Sequence, residues 1–214
     1  MEDTFVDTTL PAPAEPHPGP DSGTRAPIDA TAVETLLRDL LIALGEDPTR
    51  PGLADTPARV TRFFTEFLGH EAGTTDTTFE YQAEGEGCVA VGGIRTASLC
   101  EHHLLPFTVE AVVAYAPVDR VLGLSKLVRI AHQHAHKLQL QERLGAEIAE
   151  DVARLTGSKQ VAVWMVGDHS CMVARGVRAH GTRTATEYLL KPLAADMVAV
   201  ERLRRVAALA GGAR

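Results

Sequence analysis

Cys100-Glu101-His102-His103-Leu104-Leu105-Pro106-Phe107 is the stretch on which the reading of this chain turns, together with a second cluster, His169-Ser170-Cys171. A thiol and an imidazole three residues apart, completed by a distant thiol, form a donor set of the kind a catalytic zinc uses when one coordination position stays open to water. Taken singly, Cys100 or Cys171 reads as a small buried hydrophobe, since free cysteine is among the most buried residue types. Both cysteines come with histidines at ligand spacing, which favours Cys100, His103 and Cys171 as metal ligands. Two further histidines, His102 and His169, then stand beside the ligands and are available for proton transfer.

Around the first cluster the apolar residues recur with period two. Phe79 and Tyr81, Cys88 to Ile94, and the longer run Leu105 to Tyr115 read as strands, so the Cys100 cluster falls in a loop held by a sheet. Cys88 has no histidine neighbour and is assigned to the core. Gly123-Leu124-Ser125-Lys126-Leu127-Val128-Arg129 opens a helix with Ser125 as its N-cap; Lys126 and Arg129, three apart, share a face of the first turn. Free N–H groups, a hydroxyl and two cations at one helix start suit a phosphate, although an ordinary capped helix with surface charges has the same pattern. Leu138 to Leu155 reads as the next helix, ended by Gly157, with Gln141-Glu142-Arg143 near its start, where the helix dipole favours a carboxylate. Val161 to Val166 is a buried strand that runs into the second cluster, and Met172 to Val177 is read as its extension past Arg175. Leu193 to Leu209 is helical in pattern.

Ahead of the sheet the pattern is helical. Thr31 with Glu34 suggests a capping box, after which Val33, Leu36, Leu37, Leu40, Leu41 and Leu44 trace one face up to Gly45. Thr56-Pro57 starts a second helix with Val60, Phe63, Phe64, Phe67 and Leu68 on one stripe and Arg59 off it. Residues 1–28, with Pro11, Pro13, Pro16, Pro18, Pro20 and Pro27, have little to bury and are expected to be disordered.

The 214 residues, 45% of them hydrophobic, suffice for a sizeable core. Three cysteines are too few and too odd for a disulfide framework and point to a reducing compartment. The start Met1-Glu2-Asp3-Thr4 lacks a basic segment followed by an apolar one, and no apolar run approaches the ~18 residues of a membrane span. A cytoplasmic protein without membrane contact is expected. A net charge of -7 argues against nucleic acid as a partner but allows an anionic small molecule where cations gather locally.

The motifs together resemble GTP cyclohydrolase I. Cys100 to Phe107, Gly123-Leu124-Ser125-Lys126, Gln141-Glu142-Arg143-Leu144 and His169-Ser170-Cys171-Met172 with Arg175-Gly176-Val177 follow the family's order and intervals. Arg50-Pro51-Gly52-Leu53 and Asp55-Thr56-Pro57 with Arg59 match its N-terminal part. The resemblance implies an α+β tunnelling fold, an antiparallel sheet with a pair of antiparallel helices on one face, preceded by a helical part. The divisions would be a Pro-rich tail 1–28, a helical part 29–74, a catalytic domain 75–192 and a C-terminal helical segment 193–214. It also implies a ring-shaped homo-oligomer, a decamer in typical members, with active sites between subunits. Zn2+ would be held by Cys100, His103 and Cys171. His169 would protonate N7 of the purine, and His102 would serve the attacking water and later steps. Ser125, Lys126, Arg129 and Arg175 would hold the triphosphate of GTP, Arg59 reaching in from a neighbouring subunit. Glu142, with Gln141 beside it, would recognise guanine. Hydrolysis at C8, formate release, ribose rearrangement and ring closure would give 7,8-dihydroneopterin triphosphate for folate, pterin or deazapurine supply.

The chain departs from the family pattern at Val109, Glu110 and Val112, at His136-Lys137-Leu138, at Gly145, and at Glu187 and Lys191, none of them a proposed ligand or acid-base group. Rival readings are a paralogue that stops at another product, a non-catalytic oligomer binding GTP or zinc, and a nitrile reductase of the same fold using a cysteine nucleophile and NADPH. The Cys-x-x-His and His-x-Cys pairing fits the last poorly.

Overall fold

The computed structural model describes residues 26–82 and 85–211, so most of the Pro-rich tail, residues 1–25, lies outside the described residues. The chain forms two compact units that divide between Arg62 and Phe63. In the first, α1 (Ala30–Ala43) is capped by Asp29, whose Oδ1 accepts from Ala32 N–H at 2.9 Å. The cap predicted at Thr31 therefore sits two residues earlier, because Asp29 reaches the third helical N–H while Thr31 is already inside the helix and its carbonyl accepts from Thr35. Gly45, at φ 82°, follows the helix end. The predicted apolar face is present but uncovered: Leu36 and Leu44 are 66% and 69% exposed, and α1 has no buried residue. α2 spans Thr56–Leu68.

The second unit is built on two sheets. β1 (Thr78–Glu80) pairs antiparallel with β4 (Arg120–Leu122). The main sheet has the order β5-β2-β3-β6-β7, from β2 (Val89–Cys100), β3 (Pro106–Tyr115), β5 (Leu138–Gln139), β6 (Val161–His169) and β7 (Thr184–Leu189). All neighbours are antiparallel except β5, which runs parallel to the end of β2. Alternation along β3 sorts the faces. Phe107, Val109, Ala111, Val113 and Tyr115 pack into the larger core with α3 (Leu124–Ala135) and α4 (Gln141–Thr156), while Val112 and Ala114 face the opposite side. The two helices run antiparallel, because Lys137 meets Glu147 while His134, earlier in the chain, meets Asp151 further along. The sheet with its helix pair has the α+β form that the resemblance implies.

The other face is closed by the C-terminal segment. α6 (Lys191–Ala194) and α7 (Met197–Gly211) bury Leu193, Val200, Leu203 and Ala207 against Ala114 and Ala162, with Cys88 packed alongside. Two departures belong to this face: Val112 packs there, and Glu187 accepts hydrogen bonds from Trp164 Nε1 and from Arg204 of α7, the latter at 2.8 Å. Gly92 lets the helix end approach, since a Cβ at that position would lie 2.6 Å from the Ala210 carbonyl oxygen. Three more are accommodated locally. Val109 is core, Glu110 pairs across the strands with Arg95, and Gly145 brings α4 onto Met165 and Tyr188.

Three local expectations are corrected. Gly123, not Ser125, is the N-cap of α3; its N–H is drawn into the edge of the small sheet by Thr77 O, which fixes the start of the helix two residues earlier. Leu138 and Gln139 are strand, because they pair with Leu99 and Cys100, and the helix begins at Gln141. Met172 to Val177 does not extend β6: the chain turns into α5 (Ser170–Val173), and β7 takes the place beside β6.

Between α3 and α4 lies a network the sequence did not announce. His134, with its side chain 10% exposed, has Nε2 2.8 Å from Asp151 and Nδ1 3.3 Å from Glu147. Burial opposes its charge, but hydrogen bonds to the two carboxylates outweigh this and raise its pKa. Glu147, also bonded by Lys137 and Gln139, is lowered to about 2 against its own burial. A raised histidine stabilises below its unfolded pKa and loses that contribution as pH rises through the folded one; a lowered carboxylate stabilises above its unfolded pKa and loses it as pH falls. His134→Gln is therefore expected to lower unfolding free energy by about 3 kcal/mol. In urea titrations at several pH values the deficit should be largest between the ordinary carboxylate and imidazole pKa values, shrinking on both sides.

Candidate active site

The end of β2, the start of β3 and the end of β6 come together because register makes them do so. Leu99 pairs with Pro106, Ser98 with Phe107, and Phe107 with His169. The chain between β2 and β3 is a tight turn in which Cys100 N–H bonds Leu105 O at 2.9 Å and the carbonyl of Cys100 accepts from His103 and Leu104. Leu104 takes a positive φ of 54° to allow it, a conformation that costs a non-glycine residue energy and clusters at functional sites. The turn folds His103 back so that its Nδ1 lies 3.5 Å from Cys100 Sγ. On the other side, the turn into α5 brings Cys171 up to the same point.

The donor atoms of Cys100, His103 and Cys171 all lie within 4.8 Å of one another, close enough to hold one metal ion. Cys100 is buried, Cys171 half-buried and His103 exposed, so the set opens to solvent on the imidazole side. Burial and the neighbouring Cys100 thiol push the Cys171 pKa up. A thiol placed so close disfavours the Cys171 thiolate, and a bound cation reverses that penalty; the donor set fits a thiophilic metal. Arg175 donates to His103 Nε2 from the far side of the ring. His102 is exposed with its ring edge-on to that of His103, centroids 6.1 Å apart.

His169 ends β6 on the helix-facing side. Its ring stacks on Phe107, centroids 4.6 Å apart and 7° from parallel, and its Nε2 donates to Gln141 Oε1 at 2.8 Å. Burial holds its pKa below the usual imidazole value, against opposing pulls from Glu142 and Asp168. Gln141 is itself buried, and its amide is used in full, with Nε2 donating to Thr184 O and Thr186 Oγ1, both at 3.0 Å. Gly167 makes room for it, since a Cβ there would collide with Gln141 Oε1. A cavity of about 430 Å3 beside the ring is lined by Phe107, Asp168, His169 and Ser170, among others.

Three consecutive residues of the first turn of α4 thus have three jobs. Gln141 holds His169, and Glu142 is exposed at the positive end of the helix. Arg143 donates to Glu101 in the Cys100 turn, to Gln139 Oε1 at 2.6 Å and to Leu138 O. The bond of Gln141 to His169 goes beyond its expected place beside Glu142, and Arg143, Glu101 and Gly167 are structural contributors that the motifs do not single out. Their only signal was adjacency to motif residues.

Ser125, Lys126 and Arg129 are not brought to this point. Lys126 Nζ bonds Thr74 O and Thr74 Oγ1 at 2.9 and 2.8 Å, and Arg129 Nη1 approaches the same carbonyl at 3.4 Å. The end of α3 that lies near Cys100 is the other one, where Ser98 Oγ donates to Ala135 O at 2.6 Å. Nine residues of helix put Lys126 about 14 Å, and six put Arg129 about 9 Å, further along the axis. Among the described residues no carboxylate pairs with Lys126, Arg129 or Arg175. Arg59, in the first unit, is exposed and paired with Asp55 at 3.0 Å.

Donors for one ion, two flanking imidazoles and a cavity beside them define an enzyme site, and the comparisons narrow the class. The profile of the GTP cyclohydrolase I family matches residues 33–207. GTP cyclohydrolase 1 of Hyperthermus butylicus is 48% identical over 155 residues, which cover 71% of this chain and 78% of that protein. The protein of the same name from Clostridium acetobutylicum is 44% identical over 170 residues, covering 74% and 87%. That from Deinococcus radiodurans is 41% identical over 182 residues, covering 84% and 82%. This is an enzyme of the hydrolase class. The chain belongs to the GTP cyclohydrolase I family.

Because a Cβ at residue 167 would collide with Gln141 Oε1 and press on Val109, Gly167→Ala should displace the Gln141 side chain and free the His169 ring. The expected result is a loss of about 1–3 kcal/mol in chemical denaturation, with the His169 imidazole signals moving in an NMR pH titration; unchanged signals would mean that Gln141 does not hold the ring.

Proposed function

We propose that the protein converts GTP to 7,8-dihydroneopterin triphosphate and formate. The observation that carries this reading is the convergence of Cys100, His103 and Cys171 beside His169 and Glu142. Cys100, His103 and Cys171 would hold Zn2+, which when bound supplies a Lewis acid able to lower the pKa of water to about 7. His169 has Nε2 committed to Gln141, so Nδ1 is the nitrogen that meets the substrate; in the imidazolium form, which Glu142 and Asp168 favour against burial, it gives its proton to N7 as C8 is attacked. A proton on an imidazole held below its ordinary pKa is readily given up, and Gln141 keeps the ring from turning away. His102, exposed beside His103, takes protons from the attacking water and serves the later steps. Two waters are consumed at C8, which leaves as formate, and one is returned when the ring closes.

Glu142, exposed in the first turn of α4, would accept from both N1–H and the exocyclic amine of guanine. Adenine offers neither donor in that arrangement, and binding it would leave a desolvated carboxylate unpaired. Arg175, already beside His103, supplies one cation to the triphosphate. Ser125, Lys126 and Arg129 would supply the rest, but they lie from half to nearly a whole helix length from the α3 end beside Cys100 of their own chain. That separation supports assembly into a homo-oligomer in which the first turn of α3 from one subunit completes the site of the next, with Arg59 reaching in likewise. The uncovered leucines of α1 are a further surface that assembly would bury.

Incubating zinc-loaded protein with GTP, quantifying formate and identifying the pterin by mass tests the reaction. Cys171→Ala and His169→Ala are each expected to lose at least a hundredfold in kcat, and normal turnover in both would overturn the site. For the shared site, Lys126→Ala and Cys171→Ala proteins should each be inactive alone. When dissociated and reassembled together they should regain formate release, because some interfaces then combine the intact halves. No recovery in verified mixed oligomers would place both halves in one subunit.

A further inference from the structure

The last turn of α3 carries a second cluster that the reaction does not use. His132 and His136 are one helical turn apart, and His70, two residues beyond α2, meets them. The ring nitrogens of all three come within 4.8 Å of one another, as a group separate from Cys100, His103 and Cys171. His136 Nδ1 donates to the His132 carbonyl at 2.7 Å. This fixes the tautomer and leaves the Nε2 lone pair bare, as a backbone carbonyl commonly does for metal-ligating histidine. The His136 ring packs against Phe67, centroids 4.8 Å apart, and stacks with His70 at 3.9 Å. His134, on the same helix, points to the other side and takes both carboxylates, Glu147 and Asp151. Among the described residues no Asp or Glu pairs with His70, His132 or His136.

We propose that His70, His132 and His136 form a second metal site, for a divalent transition ion of the Zn2+, Co2+ or Ni2+ class, distinct from the thiolate site. Three neutral nitrogens suit these ions and not Mg2+ or Ca2+, which take oxygen. Metal–nitrogen bonds of about 2.0–2.1 Å ask for donors about 3.4 Å apart, a contraction that takes rotation of the exposed His70 side chain and of His132 towards His136. His70 is exposed and the other two half-buried, so a fourth position faces solvent. The ion would clamp the segment after α2 to the end of α3. Stacking of the rings also brings their nitrogens near one another, so metal binding itself distinguishes a site from a stack.

Cobalt separates the two sites, because a thiolate ligand adds an intense charge-transfer band in the near ultraviolet that an all-nitrogen site lacks. Titrating the full-length metal-free protein with Co2+ should show two equivalents bound per chain, only one of them accompanied by that band. The double variant His132→Ala/His136→Ala should bind one equivalent, keep the band, and release formate from GTP as the parent does. His70→Ala, a change at an exposed residue, should weaken the band-free equivalent at least tenfold. A single equivalent in the parent protein, or a band-free equivalent that survives in the double variant, would overturn the proposal. Neither outcome depends on whether GTP is the substrate.

Discussion

The antiparallel register across β2, β3 and β6 is the constraint on which the site depends. It sets the end of β2 opposite the start of β3, and that start opposite His169, so two motifs far apart in the chain meet at one edge of the sheet. A slip of one residue would turn every side chain of a strand to the other face. His169 would then leave Phe107 and Gln141, and Cys171 would leave Cys100. The register is protected by burial on both faces, with α3 and α4 on one side and α7 on the other, so a slip exposes apolar residues in two cores at once.

The first turn of α4 converts that frame into a chemical arrangement. A buried amide orients one imidazole, and a guanidinium ties the turn bearing the others to the helix start. Between them the carboxylate Glu142 is left to solvent. Further along the helix the same economy appears in Glu147 and Asp151, which hold His134 from opposite nitrogens. The interior of this unit is therefore stabilised by directed polar bonds as well as by apolar area, and these bonds link α4 to the loop, to α3 and to β7.

The helices and long strands were legible because their apolar residues repeat at 3.6 or 2.0 positions, and Cys100, His103 and Cys171 because soft donors at ligand spacing are rare by chance. What was not legible was decided by partners distant in sequence. Leu138 and Gln139 carry a helical pattern, yet the exposed edge of β2 recruits them as strand. Ser125 has the residue type of a cap, but the small sheet fixes the helix start through Gly123. The segment after His169 reads as strand by composition and turns because the neighbouring edge belongs to β7. The bond of Gln141 to His169 had no local signature, and neither did the distance between Lys126 and the Cys100 turn, which only the antiparallel course of α3 and α4 makes evident.

Gly92 carries a consequence for how this chain varies. The Ala210 carbonyl stands where its side chain would be, so residue 92 and the terminal helix are coupled although more than half the sequence separates them. A relative that lacks the helix has no reason to keep a glycine there, whereas one that retains it must. Substitutions at position 92 among relatives should therefore track the presence or loss of the C-terminal segment, a signature readable from sequences alone.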